Sequence, residues 1–160
     1  MFTGIRFETH LKKAATMTRV DFYILADSDE HNRNTLICKL AEKAFRHDKA
    51  VFIHADDDEL LAQLDEHLWH FRADSFVPHR LVPKGEITSQ IDGDPVQLSA
   101  QEPTADHSVL INLAPEVPTF FSRFERALEV VNQSAGIRDS ARERYRFYQQ
   151  RGYPLQTHKM

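Results

Sequence analysis

The stretch Val20-Asp21-Phe22-Tyr23-Ile24-Leu25-Ala26-Asp27-Ser28-Asp29 is a nearly unbroken apolar run that ends in a cluster of helix-capping residues. A strand buried on both faces reads this way, and the oxygens of Asp and Ser beyond it suit the orphan N–H groups of a following helix. That helix is predicted from Leu36, Ile37, Leu40, Ala41, Ala44 and Phe45 at helical spacing, with Lys39, Glu42, Lys43 and Arg46 between them and His47 in the last turn. Ala50-Val51-Phe52-Ile53 makes a second strand. Asp56, Asp57 and Asp58 then stand at a second helix start, and Leu60, Leu61, Leu64, Leu68 and Trp69 form its apolar stripe. Two such strand–helix units imply an α/β fold with a mostly parallel sheet.

Farther along, Phe76-Val77-Pro78-His79-Arg80-Leu81-Val82 is extended, and Pro78 within it points to a sheet edge or an irregular start. Residues 83–107 are polar and hold Gly85, Gly93, Pro95 and Pro103; within them Pro95-Val96-Gln97-Leu98-Ser99 alternates as an edge strand would. Val109-Leu110-Ile111-Asn112-Leu113 reads as a buried central strand. Phe120, Phe121, Phe124, Ala127, Leu128 and Val131 then suggest a helix, and a last helix starts near Ser134 to Arg138 and stops at Gly152. Residues 1–16 read as a leader or tag before Met17, residues 17–155 as one domain, and 156–160 as a tail.

Composition narrows the function classes. The 160 residues are 41% hydrophobic and 28% charged with a net charge of -4, which suits one compact domain and argues against a surface built wholly for nucleic acid. No run approaches the ~18 apolar residues of a membrane span. The single cysteine, Cys38, cannot form an internal disulfide, and the expected location is the reducing cytoplasm. The five glycines never cluster into a phosphate-cradling loop.

Catalytic chemistry finds little support. His54 with Asp56, Asp57 and Asp58 follows a strand end, so it admits either a Mg²⁺ or Mn²⁺ site for phosphoester hydrolysis or plain helix capping. His67 and His70, three residues apart, form an isolated surface pair among nine histidines. Cys38 lies in an apolar stripe and is expected to be an inert core thiol. No G-x-S-x-G elbow is present.

Two segments carry binding-type residues. The last helix has Arg138, Arg142, Arg144, Arg146 and Arg151 against Asp139 and Glu143. Arg138, Arg142, Tyr145 and Arg146 fall within an arc of about 100°. Such a face suits an anionic peptide or phosphate backbone, or it is simply solvated. The second segment, Leu64 to His79, contains Trp69, Phe76 and Pro78, residue types that serve equally as interface anchors or as core.

These segments resemble the chi subunit family of bacterial DNA polymerase III holoenzyme. The likeness rests on Asp21-Phe22-Tyr23-Ile24-Leu25, on LDEHLWHFRADSFVPH from Leu64 to His79, on Ile111-Asn112-Leu113, and on ARERYRFYQQRGYPL from Ala141 to Leu155, all in the family's order. It implies a Rossmann-like sheet with helices on both faces and no nucleotide-binding loop. The implied role is a noncatalytic clamp-loader accessory subunit without cofactors, touching DNA only indirectly. By the resemblance, Trp69, Phe76 and Pro78 face the psi subunit, and in some bacteria an XPD-like helicase uses the same surface. Ile137, Arg138, Arg142, Tyr145 and Arg146 would hold the acidic C-terminal tail of single-stranded DNA-binding protein, which ends in Pro-Phe.

Overall fold

The computed structural model describes residues 17–86, 95–103 and 108–160. Its elements run β1 (Arg19–Ile24), α1 (Glu30–Arg46), β2 (Val51–His54), α2 (Asp58–His70), β3 (His79–Leu81), β4 (Val96–Ser99), β5 (Val109–Asn112), a 3-10 turn (Phe121–Arg123), β6 (Arg126–Val131), α3 (Ala135–Gln150) and β7 (Leu155–Lys159). The seven strands lie in the order β3-β4-β2-β5-β6-β1-β7. Every described ladder is parallel.

Alternation along the central strands makes the two faces. Val51, Ile53, Val109 and Ile111 point to the side covered by α1 and α2, where Leu36, Ile37, Leu40, Leu61, Leu64 and Leu68 pack on them. Phe52 and Leu110 point to the other side, where they meet Phe22, Phe120, Phe121, Phe124 and Tyr148 beneath α3. Helices therefore cover both faces. The start of each of the first two helices is fixed as expected from the acidic clusters: Asp29 accepts from the backbone N–H of His31 and Asn32, and Asp57 from those of Glu59 and Leu60. Such caps contribute about 1 kcal/mol each.

Three expectations need correction. The segment predicted as a helix through Phe120 to Val131 is instead the 3-10 turn followed by strand β6. Ala127, Leu128 and Val131 mimic helical spacing, yet β6 lies between β5 and β1, and a parallel strand buried on both faces carries no alternation to betray it. Glu129 within it further masks the apolar run. Val96–Ser99 is not an edge strand, because β3 pairs outside it; its polar Gln97 and Ser99 are buried, and the Ser99 hydroxyl donates to Val82 O at 3.3 Å. Residues 156–159, expected in a tail, belong to β7. The expected leader, 1–16, lies outside the described residues, as do 87–94 and 104–107 of the polar stretch.

Strand β7 is clipped to the sheet by a contact to a buried carboxyl group. Buried Asp21 on β1 accepts from Arg126 on β6 at 2.7 Å and faces the His158 ring on β7 at 2.9 Å. Burial opposes ionisation of Asp21, but the hydrogen bonds and charges of Arg126 and His158 outweigh it, so its carboxyl lies below the ordinary 3.8. A carboxyl depressed in the folded state contributes stability that is complete above its unfolded pKa and is lost as pH falls through the folded one. Asp21→Asn is therefore expected to be less stable than the parent near pH 7. That gap should narrow below about pH 4, as read by urea midpoints at both ends of the range. A gap unchanged by pH would contradict the assignment.

Candidate protein-docking faces on opposite sides of the sheet

The outer face of α3 carries the expected arginines. The side chains of Arg138, Arg142 and Arg146 are 41%, 65% and 61% exposed. They are not free, however. Asp139 lies 3.6 Å from Arg138 and 3.8 Å from Arg142, and Glu143 holds Arg146 at 2.6 Å. The two contacts at i,i+3 spacing are worth only about 0.2–0.5 kcal/mol each, and the one between adjacent residues is no stronger, so an arriving carboxylate can displace them at little cost. Tyr145 sits at the border of this face, half-buried, with its ring edge-on to Phe22 at 5.2 Å. Ile137 is likewise partly buried against the same aromatic core. The structure thus brings all five sequence-predicted residues of this site onto one helix, with the apolar pair at the core side and the guanidinium groups outside.

Arg144 departs from the sequence picture. It is turned inward and is 4% exposed. Its Nε donates at 2.9 Å to Glu129, whose side chain is fully buried; the other Glu129 oxygen accepts from the Asn112 amide at 3.0 Å and the Tyr148 hydroxyl at 2.9 Å. Arg144 also donates to Pro115 O and the Ser140 hydroxyl. Burial, then the Glu129 charge, pushes the Tyr148 phenol well above its usual range, so it remains a hydrogen-bond donor. Arg33 on α1 approaches from the other helix layer, donating to Val130 O at 2.9 Å, and burial together with Arg144 brings its guanidinium down to about 10. Sequence reading missed this cluster because β6 itself was misread. The available signal was a glutamate inside an apolar run with arginines on the elements at either side.

The other candidate surface lies where α2 meets edge strand β3. Trp69 is 47% exposed and Phe76 67%, their ring centroids 5.8 Å apart, while Pro78 is half-buried beside them. His79 supports them from below: its ring is 4.4 Å from Trp69, and its two nitrogens lie 2.7 Å from Val77 O and 3.0 Å from Asp65 O. The turn that carries Phe76 is anchored by buried Glu42 of α1, which accepts from the Ser75 hydroxyl and pairs with Arg72 and Arg46. Two large apolar side chains are thereby held outward by a polar frame. Neither His79 nor Glu42 was singled out from sequence, since each acts on the surface through another residue.

The residues weighed for catalysis have structural occupations. Asp57 caps α2, and His54 faces Ser99 O at 3.1 Å, with burial lowering its pKa against the opposing effects of that bond and Asp56. Among the described residues no group of three or more His, Cys, Asp or Glu side chains is placed to hold a metal ion. His67 is not isolated, since it reaches the Thr35 hydroxyl at 3.0 Å and the His31 ring at 4.9 Å. Cys38 is buried, and burial pushes its thiol up to about 12. No described helix is long and apolar enough to cross a membrane.

Residues 17–156 match the family described as DNA polymerase III chi subunit, HolC. The chain belongs to this chi family. It is 41% identical over 145 residues to the DNA polymerase III subunit chi of Pseudomonas aeruginosa, covering 90% of this chain and 98% of that one. Identity is 32% over 124 residues to the Escherichia coli subunit chi, covering 76% and 82%, and 30% over 138 residues to that of Haemophilus influenzae, covering 85% and 93%. As a chi-family member the protein is an accessory subunit of the replicative polymerase. The fold is also similar to the crystal structure of T4 UvsW, with a TM-score of 0.67 at 11% identity, covering 91% of this chain and 42% of that one. That likeness concerns the α/β architecture alone.

The buried Glu129–Arg144 pair gives a stability test. Removing one member of a buried ion pair strands the other charge, at a cost of about 3–5 kcal/mol, whereas replacing both with apolar side chains costs far less. Arg144→Met is expected to fall in that range by urea unfolding, and Glu129→Leu combined with Arg144→Met is expected to be clearly less damaging than the two single losses added. Simple additivity would contradict the coupling.

Proposed function

We propose that this protein is a noncatalytic cytoplasmic bridge within the replication machinery. Its α3 face takes the acidic C-terminal tail of single-stranded DNA-binding protein, and its Trp69–Phe76–Pro78 surface takes the psi subunit of the clamp loader. The observation that carries the reading is the placement of the two surfaces: α2 packs on β3 and β4 at one end of the sheet, while α3 packs on β6 toward the other end and on the opposite face. Both partners fit at once. An XPD-like helicase using the Trp69 surface would compete with psi and leave α3 available. Contact with DNA is indirect, through the coated strand.

The division of labour at α3 follows from magnitudes. Each exposed guanidinium–carboxylate contact gives about 0.2–1 kcal/mol, while burying a phenylalanine side chain gives about 1.5–3 kcal/mol. The terminal apolar residue of the tail anchors beside Ile137 and Tyr145, and Arg138, Arg142 and Arg146 steer. Affinity for one free tail is then modest and salt-sensitive, and it rises when one DNA-bound oligomer presents several tails.

Arg142→Ala is expected to weaken tail-peptide binding up to about fivefold by calorimetry with an unchanged melting temperature, because its one ion-pair partner among the described residues is an exposed aspartate. Deleting the terminal phenylalanine of the peptide should weaken binding more than a modest rise in salt does; the reverse order would sink the pocket-anchor account. For the second surface, Phe76→Ala or Trp69→Ala should abolish psi copurification at nearly unchanged stability, since both side chains are exposed. Retained copurification would remove that surface from the psi interface.

A further inference from the structure

A cleft of about 470 Å³ lies between α1 and the amino-terminal ends of β1, β5 and β6, on the face of the sheet opposite α3. Its floor is aliphatic, made by Leu40, Ala44, Val109 and Leu128. Its rim is cationic: Arg19, Lys43, Lys49 and Arg126 surround it, with Glu125 as the one carboxylate among the lining residues. Two of these cations are already engaged. Lys49 is 3.4 Å from Glu125, and Arg126 is held by Asp21 at 2.7 Å. Arg19 and Lys43 are exposed and have no anionic partner among the described residues. Lys43 reaches the rim because Leu40, Lys43 and Ala44 share one face of α1, which the C-cap residue His47 continues.

We propose that this cleft is a docking site for an acidic peptide segment carrying one large apolar side chain, separate from both surfaces described above. The volume is within the range of ligand sites and admits a leucine or phenylalanine side chain with flanking backbone. Charge complementarity fixes the sign of the occupant: Lys49 and Arg126 are offset by Glu125 and Asp21, which leaves Arg19 and Lys43 as two uncompensated cations on the rim of a chain whose net charge is -4. The aliphatic floor favours a side chain over a nucleobase. Tyr23, which lines the cleft, is already stacked on His158 at 4.6 Å, and sequence-tolerant nucleic-acid grooves use aromatic platforms that are free to stack. Residues 1–16, which lead into Met17 at the cleft, carry Arg6, Lys12 and Lys13 against Glu8, the wrong sign for this rim.

The test uses the full ¹⁵N-labelled chain carrying Arg142→Ala, so that the α3 face is weakened and its failure is read separately. The probe is the capped peptide acetyl-Glu-Asp-Ala-Phe-Asp-Glu-amide, with acetyl-Gln-Asn-Ala-Phe-Asn-Gln-amide and a thymidine hexanucleotide as comparisons. The acidic peptide is expected to shift the amides of Lys43, Ala44, Val109 and Leu128 and to bind more tightly than the neutral one. Adding Arg19→Glu and Lys43→Glu should weaken it by about tenfold or more without changing the melting temperature. Shifts confined to α3, equal binding of the neutral peptide, or indifference to the charge reversals would overturn the proposal. So would stronger shifts of the same amides by the hexanucleotide. Nuclear Overhauser contacts from the Leu40 and Leu128 methyls to residues 1–16 would instead give the cleft to the chain's own amino-terminal segment.

Discussion

The buried carboxylate of Glu129 is the contact on which the rest of the structure depends. A glutamate with no solvent exposure is tolerable only because Arg144, Tyr148 and Asn112 together satisfy both of its oxygens. Those three donors come from α3 and β5, so the network fixes the rotation of α3 about its own axis as well as its seat on the sheet. With Arg144 and Tyr148 forced inward, helical geometry turns Arg138, Arg142 and Arg146 outward and leaves Tyr145 on the boundary. The outward face is thus a consequence of the inward one.

A related economy holds at the other end of the sheet. Trp69 and Phe76 together expose an apolar patch, and His79 and Glu42 hold their backbone and rings from beneath with buried polar contacts. A patch that is rigid before it is covered loses little side-chain entropy on association, which is how a small surface can serve as an anchor. The α3 face works differently. Its arginines are loosely paired with Asp139 and Glu143, and in the proposed function they supply orientation and encounter rate.

Much of this was legible in the residues, and the exceptions share one cause. The first strand, both acidic caps, the α1 stripe, the α2 stripe apart from exposed Trp69, and the Gly152 stop were readable because each has a local signal: a period, a capping oxygen, or a residue able to take the positive φ of +74° found at Gly152. Strand β6 has the residue spacing of a helix because its identity is set by the neighbours β5 and β1, not by its own sequence. The mistaken edge assignment of β4 and the expected tail at β7 failed likewise, since sheet order is a long-range property. At the candidate sites, Arg142, Arg146 and Tyr145 could be placed by helical arithmetic. The inward turn of Arg144 could not, because its partner Glu129 lay in the misread segment.

The proposed bridge requires that its two ends bind independently. The most direct measurement is the calorimetric affinity of the acidic tail peptide for this protein alone and for the same protein saturated with psi. The account predicts the same dissociation constant in both cases and a ternary complex by sedimentation, because the sheet separates α3 from the Trp69 surface. Loss of tail binding in the presence of psi would contradict it.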